Sequence, residues 1–300
     1  MDLRKMSGTG IKEKTNKMKL SIGFSPCPND TFIFDALVNK KIDTGDLDFD
    51  VVMDDVQTLN EMAIDGKLDV SKISYGSLPL ILEKYVMLSS GSALGKGVGP
   101  LLIAPFELPD PAVKQCVIAI PGRNTTAHVL FSLAYPEATN KVFLRYDEIE
   151  DFVLSNKGSL ENIQSVKLGV IIHENRFTYQ DKGLVKQTDL GHFWETTTEL
   201  PVPLGGIVAK RNMPDNIKLK VQSLIRKSVD YSYAQGGELS DFIKDNAQEM
   251  STDVMQMHID LYVNNFSIEL GENGKKAVRK FLQVHSSINK LPVDNQNIFL

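Results

Sequence analysis

From Lys19 onward, short apolar runs alternate with longer amphipathic ones, which predicts strands and helices taking turns. LSIGF (20 to 24) reads as a first strand. Ser25-Pro26-Cys27-Pro28-Asn29-Asp30-Thr31 breaks it, with two prolines that forbid a regular ladder and capping residues just ahead of a helix, FIFDALVNK. FDVVMDD (49 to 55) predicts a second strand and VQTLNEMAIDG a helix closed by Gly66. VSKIS (70 to 74) is a third strand, and Tyr75-Gly76-Ser77 leads into the helix LPLILEKY. A second set follows: CVIAI (116 to 120), the helix AHVLFSLAYP, VFLRY (142 to 146), a helix through DEIEDFVLSN, and LGVIIHE (168 to 174). After PVPLGG (201 to 206) come IVAKR and a run of helices to the C-terminus. This order predicts an α/β protein of two lobes, with 18–105 plus 204–300 forming one, 106–203 inserted as the other, and 1–17 as a disordered tail.

The stretch from Gly91 to Pro100 holds four glycines, at 91, 95, 97 and 99, and invites comparison with a phosphate loop. A P-loop needs Gly-Lys-Ser/Thr opening a helix, whereas here Pro100 and the strand LLIA follow. These glycines are expected to serve a tight bend or hinge.

Composition narrows the partners. Of 300 residues 42% are hydrophobic and 24% charged, which excludes disordered and fibrous classes. Lys and Arg number 33 against 38 Asp and Glu, a net charge of -5, and no basic run could track a nucleic-acid backbone. Cys27 and Cys116 stand far apart without metal-ligand spacing, so no disulfide framework is expected. The polar N-terminus lacks the roughly 7 to 15 apolar residues of a secretory signal. No run approaches the roughly 18 of a membrane span, and a cytoplasmic protein is expected.

Three junctions share one design: an apolar strand, a few Ser, Thr or Asn residues, then a helix whose first-turn amides lack intrahelical partners. They are Ser25 to Thr31, Ser74 to Ser77, and Asn124 to Thr126. Each can cap its own helix, or present hydroxyls and amides to an anion at the strand ends. Thr125 and Thr126 suit a carboxylate, and Lys72 adds positive charge if it faces the cleft, which alternation along the strand does not decide. His173 ends an apolar strand and suits proton transfer. HENRF puts Phe177 where a HExxH helix would need its second ligand, so zinc-protease chemistry is excluded. His128 and His192 are expected at the surface or as caps, His285 in a terminal helix, and His258 hydrogen-bonded within helix packing. Asp54 and Asp55 fit either a cap or a ligand contact, and Trp194 either the core or an aromatic wall.

SPCPNDTFIFDAL, DDVQTLN, SGSALGKGVGPLL, PGRNTTA, VIIHENRFTY, DLGHFWE and LPVPLGGI, in that order, resemble the 1,4-dihydroxy-6-naphthoate synthases of menaquinone biosynthesis by the futalosine route. The likeness runs from Leu20 through HIDLYVNNFS to about Gly274. It implies a two-lobed, periplasmic-binding-protein-like type II fold with a central cleft. It implies a carbon-carbon lyase that converts cyclic dehypoxanthine futalosine, without metal or organic cofactor. His173 would be the catalytic proton acceptor; Lys72, Ile73 and Ser74 would line one wall of the substrate site, and Thr125 with Thr126 the other. The partner implied is a small aromatic carboxylate, with no nucleic acid and no membrane span, and a monomer or weak dimer is expected. The competing reading is a solute-binding protein that captures a small carboxylate without reacting; an effector-sensing domain of the same fold would need a DNA-binding module.

Overall fold

The computed structural model describes residues 17–155, 158–248, 251–290 and 297–300, so all but Lys17 of the expected tail lies outside the described residues. Among the described residues, eleven strands form two mixed sheets. They are β1 (Met18–Phe24), β2 (Leu47–Met53), β3 (Val70–Ser74), β4 (Tyr85–Met87), β5 (Ala93–Gly95), β6 (Leu101–Ala104), β7 (Val117–Ile120), β8 (Lys141–Phe143), β9 (Lys167–Ile171), β10 (Val185–Asp189) and β11 (Val202–Lys210).

The first sheet has the order β2-β1-β3-β11-β4, with β5 also on β11; the second has the order β10-β6-β9-β7-β8. In the first, β1 pairs parallel with β2 and β3, and β11 runs antiparallel to β3. In the second, β7 pairs parallel with β8 and β9, and β6 runs antiparallel to β9. The two sheets therefore repeat one plan, a parallel trio flanked by one antiparallel strand. The chain enters the second sheet on β6 and returns on β11, so the sheets change over slightly earlier than residues 106 and 204.

Burial explains why these segments are strands. β3, β6 and most of β9 are buried along their whole length, and strands covered on both faces read as unbroken apolar runs. The helix Asp215–Ala234 buries Ile217, Val221, Leu224, Ile225 and Val229 at helical spacing and packs on the helix Pro28–Val38. Gly271–Asn289 buries Ala277, Val278, Phe281 and Leu282 against β11 and the helix Thr126–Ala134, joining elements of both sheets. One apolar core runs continuously through Ile73, Leu102, Ile120, Trp194 and Phe281.

The helix expected over LPLILEKY shortens to Leu78–Ile81, because Tyr85–Met87 is drawn out to pair with β11. β9 stops at Ile171, short of the expected 174, because the backbone turns at His173 with φ 57°.

In the glycine-dense segment, Gly99 meets Gly191 backbone to backbone. A Cβ on Gly99 would stand 2.1 Å from the Gly191 Cα, and one on Gly191 2.6 Å from the Gly99 Cα. Gly99→Ala or Gly191→Ala should each cost about 1–3 kcal/mol, read as a lower midpoint in urea denaturation.

Histidines set a pH limit on the fold. Burial lowers the pKa of His128 to about 4 and that of His258 well below its usual value, and it lowers His285 too. Below a pH of about 6.5 the unfolded chain takes up protons that the native chain refuses, so stability rises with pH across this window. The melting temperature should therefore be highest above about pH 6.5 and fall steadily towards about pH 4.5, before most carboxylates titrate.

Candidate active site at the strand ends

The parallel strands of both sheets end at one cavity, the edge where open α/β sheets bind ligands. Ser25 follows β1, Val56 follows β2, Ser74 ends β3, Thr125 follows β7 and His173 follows β9, and all five line the cavity. So do Lys72, Ile73 and Thr126, so the six residues that the family resemblance assigns to the site line one cavity. Val56, Leu59, Val98, Ile172, Leu204 and Tyr262 give it an apolar lining. The first turns of the helices Pro28–Val38, Val56–Asp65 and Thr126–Ala134 reach it, and their positive ends favour an anion.

Lys72 points into this region, a direction the sequence left open. Its ammonium donates to Asp30 Oδ1 at 2.7 Å and to the Gly91 carbonyl at 3.2 Å. Asp30 also accepts from Ser25 Oγ (2.7 Å), Ser25 N (3.2 Å) and Asn29 Nδ2 (2.9 Å). The first junction thus spends its donors on its own carboxylate, and Lys72 is neutralised within the protein. Asp55 caps the helix Val56–Asp65, accepting from the amides of Gln57 (2.9 Å) and Thr58 (3.3 Å).

The other two junctions meet each other. Ser74 Oγ accepts from the Thr126 amide at 2.7 Å and donates to Thr126 Oγ1 at 3.1 Å. Thr126 Oγ1 donates in turn to the Leu204 carbonyl at 2.9 Å. Thr125 Oγ1 caps its own helix, accepting from the His128 amide at 3.3 Å. Asn60 Nδ2 donates to the Asn124 carbonyl (2.9 Å), and Gln57 Oε1 accepts from the Asn124 amide (3.1 Å). Gly76 allows this approach, since a Cβ there would stand 2.3 Å from the Thr125 carbonyl carbon.

His173 lines the same cavity from the turn after β9. Its Nδ1 lies 3.4 Å from Cys27 Sγ, and the Tyr146 ring meets it edge-on at 5.0 Å. Burial lowers its pKa to about 4, against the opposing pull of Asp30 and Asp55, so the imidazole is uncharged at neutral pH. Burial and the nearby Glu174 carboxylate push the Cys27 thiol well above its ordinary range. Arg176 anchors the following turn, donating to the carbonyls of Gly99 and, at 2.7 Å, Gly97.

Among the described residues, Cys27, His173 and Glu174 are the group whose ligand atoms lie close enough for a metal, within 4.8 Å of one another. A second depression sets Asp54, Asp55 and Glu61 against Arg123 and Arg145, with Tyr146 in its wall.

Sequence reasoning missed three groups here. The Asp30 charge and the Cys27 thiol reach the site through the turn after β1. His258, expected to hydrogen-bond within helix packing, instead lines the cavity, and neither of its ring nitrogens has a hydrogen-bond partner among the described residues. His258 and Tyr262 both face the cavity one helical turn apart, a spacing visible in HIDLY. Trp194 is wholly buried, donates to the Pro201 carbonyl at 3.1 Å and packs on Phe281, so it belongs to the core.

Comparison with known proteins fits this arrangement. Among solved structures, a protein of Archaeoglobus fulgidus superposes with a TM-score of 0.82 at 28% identity, covering 91% of this chain and 98% of that one. The periplasmic aliphatic sulphonate binding protein of Escherichia coli superposes at 0.65 with 11% identity, covering 94% and 92%, and shows the shared fold. The architecture is thus a two-lobed, periplasmic-binding-protein-like type II fold. The 1,4-dihydroxy-6-naphthoate synthase of Thermus thermophilus is 42% identical over 261 residues, 87% of this chain and 92% of the relative. Its namesake from Streptomyces coelicolor is 38% identical over 268 residues, 88% and 91%. A family model described as menaquinone biosynthesis matches residues 20–287. On both the family match and these identities, the chain belongs to the menaquinone biosynthesis family.

Proposed function

We propose that this protein is a 1,4-dihydroxy-6-naphthoate synthase, a carbon-carbon lyase acting on cyclic dehypoxanthine futalosine in the cytoplasm. The observation that carries the reading is His173, an uncharged imidazole at the wall of an apolar cavity, beside a neutral thiol. In the tautomer that donates Nδ1–H to Cys27 Sγ, the Nε2 lone pair is left to accept a proton. His173 takes that proton from the sugar-derived part of the substrate, the C–C bond breaks in a retro-aldol-like step that releases the remaining sugar carbons as a carbonyl compound, and formation of the aromatic ring drives it forward. The substrate carboxylate docks at the helix N-termini near Thr125 and Thr126, and the aromatic ring lies against Ile73, Leu204 and Tyr262.

The same reading divides the molecule into two lobes that close on the substrate, with the bonds between Ser74 and Thr126 as the seam. Closure excludes water and aligns the base. Homology to named enzymes over most of the chain favours this over capture without reaction.

Incubation with cyclic dehypoxanthine futalosine, followed by mass spectrometry, should show 1,4-dihydroxy-6-naphthoate. His173→Ala should lower kcat about 10²- to 10⁴-fold with a smaller change in KM, and full turnover by this variant would refute the assigned base. Since His173 accepts protons only when neutral, kcat/KM of the wild type should hold level from neutral pH downward and fall as pH drops through about 4. An acid limb near the ordinary histidine value would mean a different base. Thr126→Val removes the hydroxyl at the seam and should raise KM several-fold more than it lowers kcat, measured by steady-state kinetics.

A further inference from the structure

His258 is fully buried, yet it lines the cavity. It comes from the helix Thr252–Tyr262, near the other end of the chain from Cys27. Its ring lies nearly parallel to that of His173, with centroids 6.1 Å apart and planes 12° apart, and Tyr262 packs on it at 4.6 Å. Both Nδ1 and Nε2 lack a hydrogen-bond partner among the described residues. A histidine kept only for packing would be poorly chosen, since a phenylalanine fills similar space without two stranded polar atoms.

Which ligand group would satisfy it follows from its hydrogen-bonding capacity. Burial, with His173 and Lys72 nearby, keeps the ring uncharged, so it offers one N–H donor and one lone pair. A carboxylate can meet the donor and never the lone pair. A hydroxyl can meet either nitrogen. The helix N-terminus and hydroxyls proposed to take the carboxylate, at Thr125 and Thr126, belong to a different element from His258.

We infer that His258 is a binding residue that reads a hydroxyl group of the ligand, separately from the groups that hold its carboxylate. The inference rests on the reading that this cavity is the substrate site. It assigns His173 and His258 different tasks: one accepts a proton, and the other selects for oxygen on the ring system being formed or held.

The test compares two ligands that differ only in hydroxyls, 1,4-dihydroxy-6-naphthoate and 2-naphthoate, by anaerobic titration calorimetry. Wild-type protein should bind the dihydroxy compound at least about tenfold more tightly, the size of one net hydrogen bond. His258→Phe should shrink that preference, the ratio of the two affinities, to about twofold or less, and should raise the melting temperature by removing stranded polar atoms. His258→Asn keeps a donor and an acceptor and should recover part of the preference. Absence of a hydroxyl preference in the wild type, or a preference undiminished in His258→Phe, would overturn the inference. If His258→Phe does not fold, His258→Leu takes its place: a hydroxyl preference undiminished in that variant, or missing in the wild type, counts against the inference. Turnover of cyclic dehypoxanthine futalosine is read separately, so failure of the enzymatic reading shows as absent product whatever the calorimetry gives.

Discussion

The buried ion pair of Lys72 and Asp30 is the constraint around which the site is arranged. Both side chains are nearly sealed from solvent, at 6% and 4% exposure, so neither charge could be borne without the other. Satisfying Asp30 recruits the Ser25 hydroxyl and amide and the Asn29 side chain, while Lys72 reaches on to the Gly91 carbonyl. One pair therefore fixes the turn after β1, the start of the helix Pro28–Val38, the strand β3 and the glycine-dense crossover relative to one another. It also sets the field at His173, where Asp30 and Lys72 pull in opposite directions and desolvation prevails.

Around that pair, the repeated sheet plan does the gathering. Each sheet carries a parallel trio, and the ends of β1, β2, β3, β7 and β9 face the same cavity, so residues far apart in the chain arrive together by topology. This is how Cys27 comes within 3.4 Å of His173, and how Ser74, at the end of a strand of the first sheet, shares hydrogen bonds with Thr126, which opens the helix after β7 of the second. The short loops at these ends carry the polar groups, and the strands behind them supply the stiffness that holds such groups in place.

Much of this was legible in the sequence because the physics is local. Fully buried strands announce themselves as apolar runs, Asp55 and Thr125 announce helix starts, and His173 stands at the tip of LGVII. Full burial also erased information: along VSKIS there is no polar face, so nothing told which way Lys72 points. Its pairing with Asp30 is a long-range fact that spacing cannot carry. The three-residue strands β4 and β5 are too short to show a period, and they exist because β11 offers them hydrogen bonds. His258 was misplaced for a related reason, since a helix facing a cavity has the same apolar pattern as one facing a core.

The turn at His173 has a consequence for how this protein can be altered. At φ 57° a side chain strains the backbone, though histidine is among the residues that tolerate it better, and asparagine or glycine would sit there more comfortably. Neither substitute brings an imidazole. A library selected only for survival on heating would drift at this position towards residues that relax the chain, and its hardiest members would be the ones that had stopped turning over.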